Sequence, residues 1–192
     1  MDSTLLLTIH GSHLYGLNHA DSDMDFYRVV STVPQLNRFG ATRKRNGEQV
    51  VKDGLDNTVF DFKTFLIHAH HGVPQALEAM FSTVAEVDEI SAYRQSYHAS
   101  VSAMIISYTA AIQKFAAWDF KRRRHALRYA LNLRQAIENQ GRFDPRLSKN
   151  NAEMITEMAS SPHYVEHLRK LSYVELVLDE SKISELIAAD TE

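Results

Sequence analysis

The sequence predicts an α+β fold in which a small mixed β-sheet is followed by a helical C-terminal part. Short β-prone runs alternate with turns in the first part of the chain, whereas the chain from about Ser91 onward is rich in helix formers and poor in Gly and Pro. With 192 residues, of which 44% are hydrophobic, the chain can bury one good core or two small ones. We therefore expect an α/β unit over residues 1–90 and a helical unit over residues 91–192.

The first strand is predicted by an apolar run, Leu5-Leu6-Leu7-Thr8-Ile9, which stops at Gly11 in a tight turn. Ser12 then stands where a helix begins. A Gly-Ser turn lets backbone N–H groups approach an anion closely, and a helix start adds unpaired donors. We therefore expect Gly11 and Ser12 to bind a phosphate group.

A second strand is predicted over residues 21–30, where Met24, Phe26 and two valines supply β-prone, apolar content. Residues two apart on a strand face the same side, so Asp23 and Asp25 would project together with Cα atoms ~6.6 Å apart. Divalent cations relieve the repulsion between two such carboxylates, and oxygen ligands of this type suit Mg²⁺. The alternative is a plain polar turn, because residues 18–23 are rich in turn formers.

The segment from Pro34 to Gly54 is predicted to be a loop or a loose hairpin, either clamping a polyanion or forming a solvated flap. Its basic residues are Arg38, Arg43, Lys44 and Arg45. A third strand follows over residues 56–61, on which Asp56 and Asp61 face opposite sides. Asp61 also stands where it would cap a helix beginning near Phe62.

The next helices are predicted over residues 62–71 and from Pro74, a residue suited to a first helical turn. On the second of these, the pattern alone makes Glu78 an exposed helix acid, whereas the family resemblance described below implies that it orients a basic residue or the nucleoside. In the helical part, Lys121, Arg124, His125 and Arg128 share an arc of about 100°, which predicts a cationic face that binds an anion or is solvated. Later helices, over residues 150–159 and 164–177, are expected to pack in the core, and the tail over residues 181–192 to dock on the body or on a second subunit.

The string Gly11-Ser12-His13-Leu14-Tyr15-Gly16 through Ser22-Asp23-Met24-Asp25 resembles the signature of the polymerase-β-like nucleotidyltransferase superfamily, and more narrowly of the YcgL-like predicted nucleotidyltransferases. Likeness continues over residues 56–66 and 74–78, and in the Lys-x-x-x-His-Ala-x-Arg element at Lys121, His125 and Arg128. The family's usual Arg-Gly-Val is replaced by Tyr27-Arg28-Val29, and its Asn before Pro is Val73.

The resemblance implies a polymerase-β-like palm and transfer of an NMP group from an NTP, with ATP binding expected, to an acceptor hydroxyl, releasing pyrophosphate. It implies two Mg²⁺ ions, for which Mn²⁺ would substitute, held by three carboxylates that also carry the catalysis. These are Asp23, Asp25 and a third acid, for which the likeness favours Asp56 over Asp61. The implied substrate-binding residues are Gly11, Ser12, Ser22, Lys121, His125 and Arg128.

The acceptor stays open between a protein, an RNA and a small molecule. The alternative function is that of an antitoxin-like or adaptor protein that uses the same fold for binding, with a small helical partner or a second copy of the chain. A nucleic-acid-binding module is a third interpretation, which the net charge of -3 disfavours as the sole function.

The absence of cysteine excludes a disulfide frame, a thiolate zinc site and a cysteine nucleophile, and it favours a reducing compartment. The N-terminal apolar run is too short for a membrane span and lacks the basic region of a signal peptide. We therefore expect a cytoplasmic protein with no membrane partner.

Overall fold

The computed structural model describes residues 3–18, 22–31, 48–52 and 55–189, and its description of residues 48–52 and 55–57 is confined to the backbone. Within these ranges, five strands form one sheet: β1 (Thr4–His10), β2 (Met24–Val30), β3 (Glu48–Lys52), β4 (Leu55–Asp61) and β5 (Ala85–Asp88). The strands lie in the order β3-β4-β2-β1-β5. Strand β2 pairs in parallel with β4, and the other three pairings are antiparallel. The predicted α+β fold with a small mixed sheet is confirmed.

Strand β2 lies at the centre of the sheet and is covered on both faces. Its neighbouring residues Phe26 and Tyr27 point to opposite faces, and both are buried. The Tyr27 ring stacks on Phe60 of β4 at a centroid distance of 5.0 Å and lies 6.0 Å from the ring of Phe65. Phe65 belongs to helix α2 (Phe62–His70), so this helix covers the face of the sheet that carries Tyr27.

The chain divides into two compact units, Met1–Ala69 with Gln75–Tyr97 and His70–Pro74 with His98–Glu192. The first unit ends beyond residue 90 because a short helix, α4 (Ser91–Ser96), belongs to it. Arg94 of this helix is buried, donates from Nε to the backbone carbonyl of Met80 (3.0 Å), and also bonds the carbonyl of Ser82 and the carboxylate of Asp88. These bonds join α4 to β5 and to the end of helix α3 (Pro74–Phe81).

Two strands were not individually predicted from the sequence. Strand β3 lies inside the segment predicted to be a loop or loose hairpin, and its antiparallel pairing with β4 agrees with the hairpin alternative. The remaining part of that segment, with Arg38, Arg43, Lys44 and Arg45, lies outside the described residues. Strand β5 was not predicted, because its four residues are too few to show a periodic pattern; its pairing with β1 makes it a strand.

The helices described in the second unit are α5 (Val101–Ala116), α6 (Phe120–Glu138), α7 (Lys149–Ser160), α8 (Tyr164–Ser172) and α9 (Glu180–Ala189). Helices α5, α6 and α7 are capped at their N-termini by the side chains of Ser100, Asp119 and Ser148. Each side chain accepts a hydrogen bond from the backbone N–H of the residue three positions later. Helix α8 ends at Ser172 and not at the predicted residue 177. The next residue, Tyr173, adopts the left-handed conformation (φ 59°), which stops the helix.

Helix α6 packs against α5, α7 and α8. Tyr129 meets Tyr108 of α5 edge to face, with ring centroids 5.7 Å apart. On another side, Arg123 is fully buried and donates from Nε to the carbonyl of Ala159 in α7 (3.0 Å) and from a terminal nitrogen to the carbonyl of Trp118 (3.2 Å). Arg123 therefore has a structural role in joining α6 to α7.

Candidate active site

The turn after β1 is packed against a carboxylate of β2. Gly11 has φ 65°, a conformation that L residues with a side chain rarely adopt. A Cβ atom added to Gly11 would lie 2.1 Å from Oδ2 and 3.0 Å from Cγ of Asp25. Both the backbone conformation and the available space therefore require glycine at this position.

The strand register brings three segments of the chain together at Asp25. On one side, β1 pairs His10 with Asp25, and Gly11 follows directly. On the other side, β4 runs parallel to β2 and pairs Asp56 with Asp25. Asp25 is half-buried, and Asp23, just before the strand, is exposed. The predicted acids thus lie on adjacent backbone segments, while the side chain of Asp56 is outside the description.

His13, which was not predicted to be a site residue, holds the segment that leads into β2. His13, in helix α1 (Gly11–Tyr15), donates from Nε2 to the backbone carbonyl of Ser22 at 3.1 Å. Ser22 immediately precedes Asp23, so this bond ties the first turn to the segment that carries the first acid. Ser12, one residue before His13, is half-buried, and its carbonyl accepts a hydrogen bond from Leu17 N at 3.0 Å.

Asp61 is engaged at the start of α2. Its Oδ1 accepts a hydrogen bond from the backbone N–H of Thr64 (2.8 Å), and its Oδ2 accepts one from the Thr64 hydroxyl (2.7 Å). This is the helix-capping role that the sequence offered as one use of Asp61. Both carboxylate oxygens have a partner within the helix, which leaves Asp56 as the acid of β4 that is in register with Asp25.

A buried carboxylate lies in the same unit. Glu78 of α3 is fully buried, which excludes the exposed alternative considered from the sequence. The Tyr15 hydroxyl donates to Glu78 Oε2 at 2.6 Å, and the same oxygen lies 3.9 Å from Nε2 of His10. His10 is also the residue of β1 that pairs with Asp25. The side chain of His10 therefore lies between Glu78 and the strand position of Asp25.

Tyr27 completes this buried group. Its ring centroid lies 5.7 Å from that of His10, and its hydroxyl is buried without a hydrogen-bond partner among the described residues. Burial raises the pKa of Tyr27 well above its usual range, and the negative charge of Glu78 raises it further. The buried group of His10, Tyr15, Tyr27 and Glu78 was not predicted from the sequence. The features that could have indicated it are His10 directly before Gly11 and Tyr15 in the helix that follows.

The predicted cationic residues of α6 differ in exposure. Lys121 is exposed, whereas Arg128 is fully buried, so a fully solvated face is wrong for this helix. Burial, together with the positive charges of Arg128, Arg124 and Lys121, lowers the pKa of His125 from 6.5 to about 3. His125 is therefore neutral at physiological pH, and any contact it makes with an anion is a hydrogen bond from an uncharged ring.

Among the side chains that the structure describes, no group of three or more His, Asp or Glu residues could by itself hold a metal ion. The side chain of Asp56 is outside that set, so the predicted trio is not covered by it. The donors present do fit Mg²⁺ in kind, because Asp23, Asp25 and Asp56 all offer carboxylate oxygens. One of them, the carboxylate of Asp25, packs directly against the backbone of Gly11.

A family model described as RlaP, RNA repair pathway DNA polymerase beta family, matches residues 2–175 of this chain. The chain belongs to this family. RlaP membership confirms the polymerase-β-like nucleotidyltransferase superfamily predicted from the first turn and the paired aspartates, and it indicates nucleotidyltransferase activity in general. The match to RlaP extends through both compact units and stops before α9.

The narrower YcgL-like resemblance remains a prediction beside RlaP membership. A comparison with curated proteins gave no match. In the part of the chain that is described, no helix is both long and apolar enough to cross a membrane.

Proposed function

We propose that this chain is a Mg²⁺-dependent nucleotidyltransferase that transfers an NMP group from an NTP to an acceptor hydroxyl. The observation that carries the proposal is the packing of Gly11 against the carboxylate of Asp25, with Asp56 in register on the parallel strand. A turn that only glycine can form lets the backbone predicted to bind phosphate pack directly against a candidate metal-binding carboxylate. Membership of a polymerase-beta family supports the reaction class.

The proposed roles follow from the chemistry of each side chain. Asp23, Asp25 and Asp56 would hold two Mg²⁺ ions, with Mn²⁺ as a substitute. When bound, the ions neutralise phosphate charge and polarise the reacting phosphoryl group. Gly11 and Ser12 offer backbone N–H groups to the phosphates. The further substrate-binding residues in the proposal are Ser22, Lys121, His125 and Arg128.

The reaction itself is an in-line displacement. The acceptor oxygen forms a bond to the α-phosphorus, the bond from that phosphorus to the bridging oxygen of the β-phosphate breaks, and pyrophosphate leaves. Asp56 takes the proton from the acceptor hydroxyl as the new bond forms. Alignment and charge neutralisation would supply most of the rate, because little covalent work falls to the protein in phosphoryl transfer.

An RNA end is the first acceptor to test, since the family description refers to an RNA repair pathway. A protein hydroxyl or a small molecule is the alternative acceptor. The YcgL-like assignment and a cytoplasmic location belong to the same proposal. A chain without cysteine fits a reducing compartment.

The test measures pyrophosphate release and label transfer with each α-labelled NTP, Mg²⁺ or Mn²⁺, and RNA with a free terminal hydroxyl. Asp25→Asn keeps the size of the side chain and removes its charge, so it should abolish transfer while the protein stays folded. Asp61→Asn is the matched control on the same pair of strands, because asparagine still caps a helix; its activity should stay near that of the wild type.

Transfer that survives Asp23→Asn together with Asp25→Asn would contradict the proposal. NTP binding without transfer to any acceptor, in a protein with intact aspartates, would favour the alternative of an antitoxin-like or adaptor protein. Co-purification of a small helical partner would distinguish that case.

A further inference from the structure

The junction between α5 and α6 carries an exposed tryptophan on which a guanidinium group stacks. Trp118, the single tryptophan of the chain, is 46% exposed. The guanidinium carbon of Arg122, near the start of α6, lies 4.1 Å from the centroid of the Trp118 ring. Tryptophan and arginine are the residues most enriched where a protein contacts a partner, and here the two present flat faces together at the surface.

A second pair of the same kind lies beside the first. The guanidinium carbon of Arg124 lies 5.1 Å from the ring centroid of Phe120, and both residues are half-buried. The Nε atom of Arg124 has no hydrogen-bond partner among the described residues. Because helical side chains tilt toward the helix N-terminus, both pairs collect around the start of α6. We refer to Trp118, Phe120, Arg122 and Arg124 as the cation–aromatic patch.

The region around the patch is strongly positive, in contrast to the chain as a whole. Residues 114–125 contain five Lys and Arg residues and one acid, Asp119, whereas the formal net charge of the chain is -3. The Asp119 carboxylate lies 3.7 Å from Arg122, but both side chains are largely exposed, and such a pair is screened by water. No acid among the described side chains forms an ion pair with Lys121 or Arg124. The patch therefore attracts an anionic partner.

The rings and the planar guanidinium groups indicate which kind of anion fits. An acidic peptide would pair with the positive charges and gain nothing from the flat faces. In a single-stranded nucleic acid, unpaired bases stack on aromatic rings and on arginine planes while the phosphates pair with the cations. In a duplex the bases stack on each other, so their faces are not available. The combination fits a single strand best.

We propose that the cation–aromatic patch binds single-stranded RNA. A base stacks on the Trp118–Arg122 pair, and the N–H edges of Arg122 and Arg124 donate to the flanking phosphates. The choice of RNA as the source of the strand rests on the proposed function, in which an RNA end is the first acceptor, and the inference deepens that function. All four residues belong to the second compact unit, so binding requires no particular arrangement of the two units.

The fluorescence of the single tryptophan tests the proposal on the wild-type chain. Titration with an RNA of about 12 nucleotides, without NTP or metal ion, should quench Trp118, because a stacked base lies against the indole. Polyglutamate of equal charge should neither bind nor quench. Equal binding of polyglutamate would make the patch a surface for acidic proteins and overturn the proposal.

Anisotropy of a labelled RNA then measures the contribution of each residue. Trp118→Ala should weaken binding by about 10-fold, and Trp118→Phe should bind more tightly than Trp118→Ala because it keeps a ring. Arg122→Gln should weaken binding and lower the slope of log affinity against log salt by about 0.7. Circular dichroism shows that each variant is folded. Should Trp118→Ala not fold, Trp118→Phe and Arg122→Gln must still bind more weakly than the wild type.

A second arginine–aromatic pair in the same unit provides matched controls. The guanidinium carbon of Arg134 lies 4.6 Å from the ring centroid of Tyr173, which is 53% exposed. Arg134 donates from Nε to Glu138 at 3.0 Å, so this pair stands beside a neutralising acid. Tyr173→Ala and Arg134→Gln should bind RNA as the wild type does. Equal weakening by Arg134→Gln and Arg122→Gln would reduce the effect to general charge and overturn the assignment.

Two further strands distinguish the sources of the ligand. Duplex RNA should bind more weakly than the single strand and should leave Trp118 fluorescence unchanged. A DNA strand of the same sequence that binds more tightly than the RNA would overturn the choice of RNA. RNA that binds without quenching Trp118, and with equal affinity in Trp118→Ala and Arg122→Gln, would overturn the patch itself.

Failure of this inference and failure of the proposed function are distinguishable. RNA binding that depends on Trp118 and Arg122, in a protein that transfers nothing, would support the patch and reject the transferase. Transfer that depends on Asp25 and is indifferent to Trp118 and Arg122 would do the reverse.

Discussion

A Cβ atom on Gly11 would lie 2.1 Å from Oδ2 of Asp25, well inside van der Waals contact. The backbone of the first turn and the carboxylate of the central strand therefore occupy adjoining space, with no room for a side chain between them. His10, paired with Asp25 across the two strands, fixes the register that creates this contact. The Gly-Ser turn and the Asp-x-Asp strand, separate in the sequence, form one structural feature.

Gly11→Ala should displace the carboxylate of Asp25 and lower kcat/KM by about 100-fold, since a 1 Å misplacement in a reacting site costs about that much. The measurement is pyrophosphate release with the protein shown to be folded by circular dichroism. Gly16→Ala is the control for backbone strain, because Gly16 also has a positive φ (72°). The prediction is supported if both variants lose similar stability but only Gly11→Ala loses activity. Equal activity in the two variants would contradict it.

Asp61 should contribute to stability and not to chemistry. Asp61→Ala removes the acceptor for the N–H and the hydroxyl of Thr64, and we expect it to lower the free energy of unfolding by about 1 kcal/mol. Denaturant unfolding measures this loss, and transfer activity below the melting range should persist. A variant that keeps full stability but loses transfer would place Asp61, not Asp56, among the reacting groups.

Tyr15→Phe should destabilise the first unit by about 1.5–3 kcal/mol, because it removes a hydrogen bond to a buried carboxylate. The matched control is Tyr164→Phe. Its hydroxyl is also buried but has no partner among the described residues, so removing it should be neutral or stabilising. The thermal midpoint should fall for Tyr15→Phe and stay the same or rise for Tyr164→Phe, and falls of the same size in both would rule out a stabilising hydrogen bond from Tyr15 to Glu78.

His125 should make the protein less stable in acid. Its pKa falls from 6.5 to about 3 on folding, so below pH 6.5 the unfolded chain binds a proton that the folded chain does not. Stability from this source is complete above pH 6.5 and falls with pH down to about 3, by about 2 kcal/mol at pH 5. Urea unfolding of His125→Gln should show a smaller difference between pH 8 and pH 5 than the wild type.

The same comparison with His163→Gln, which removes an exposed imidazole before α8, is the control and should keep the pH dependence of the wild type. An unchanged slope in His125→Gln would show that the buried ring is not the source. The groups around His125 are the positive Arg124, Arg128 and Lys121, with Asp119 opposing them, and the ring of Phe115 lies at 6.3 Å.

The sequence was sufficient for features that depend on near neighbours. Apolar runs and turn residues predicted β1 and β2, helical spacing predicted α7, and an acid at the end of a strand gave the cap of α2 as one of two uses of Asp61. Such strands, helices and caps depend on interactions between residues close in the chain, so a local sequence pattern is enough to predict them. Strand β5 was missed because it exists only through its pairing with β1.

The sequence by itself determined the family motif, the α+β class and the set of candidate acids, since these depend on residue type and spacing. The tertiary structure alone decided the register that pairs Asp56 with Asp25 and the burial of Glu78 and Arg128. Periodicity assigns a residue to a face of its helix or strand. What covers that face depends on segments distant in the chain, and their packing sets burial, charge state and available space.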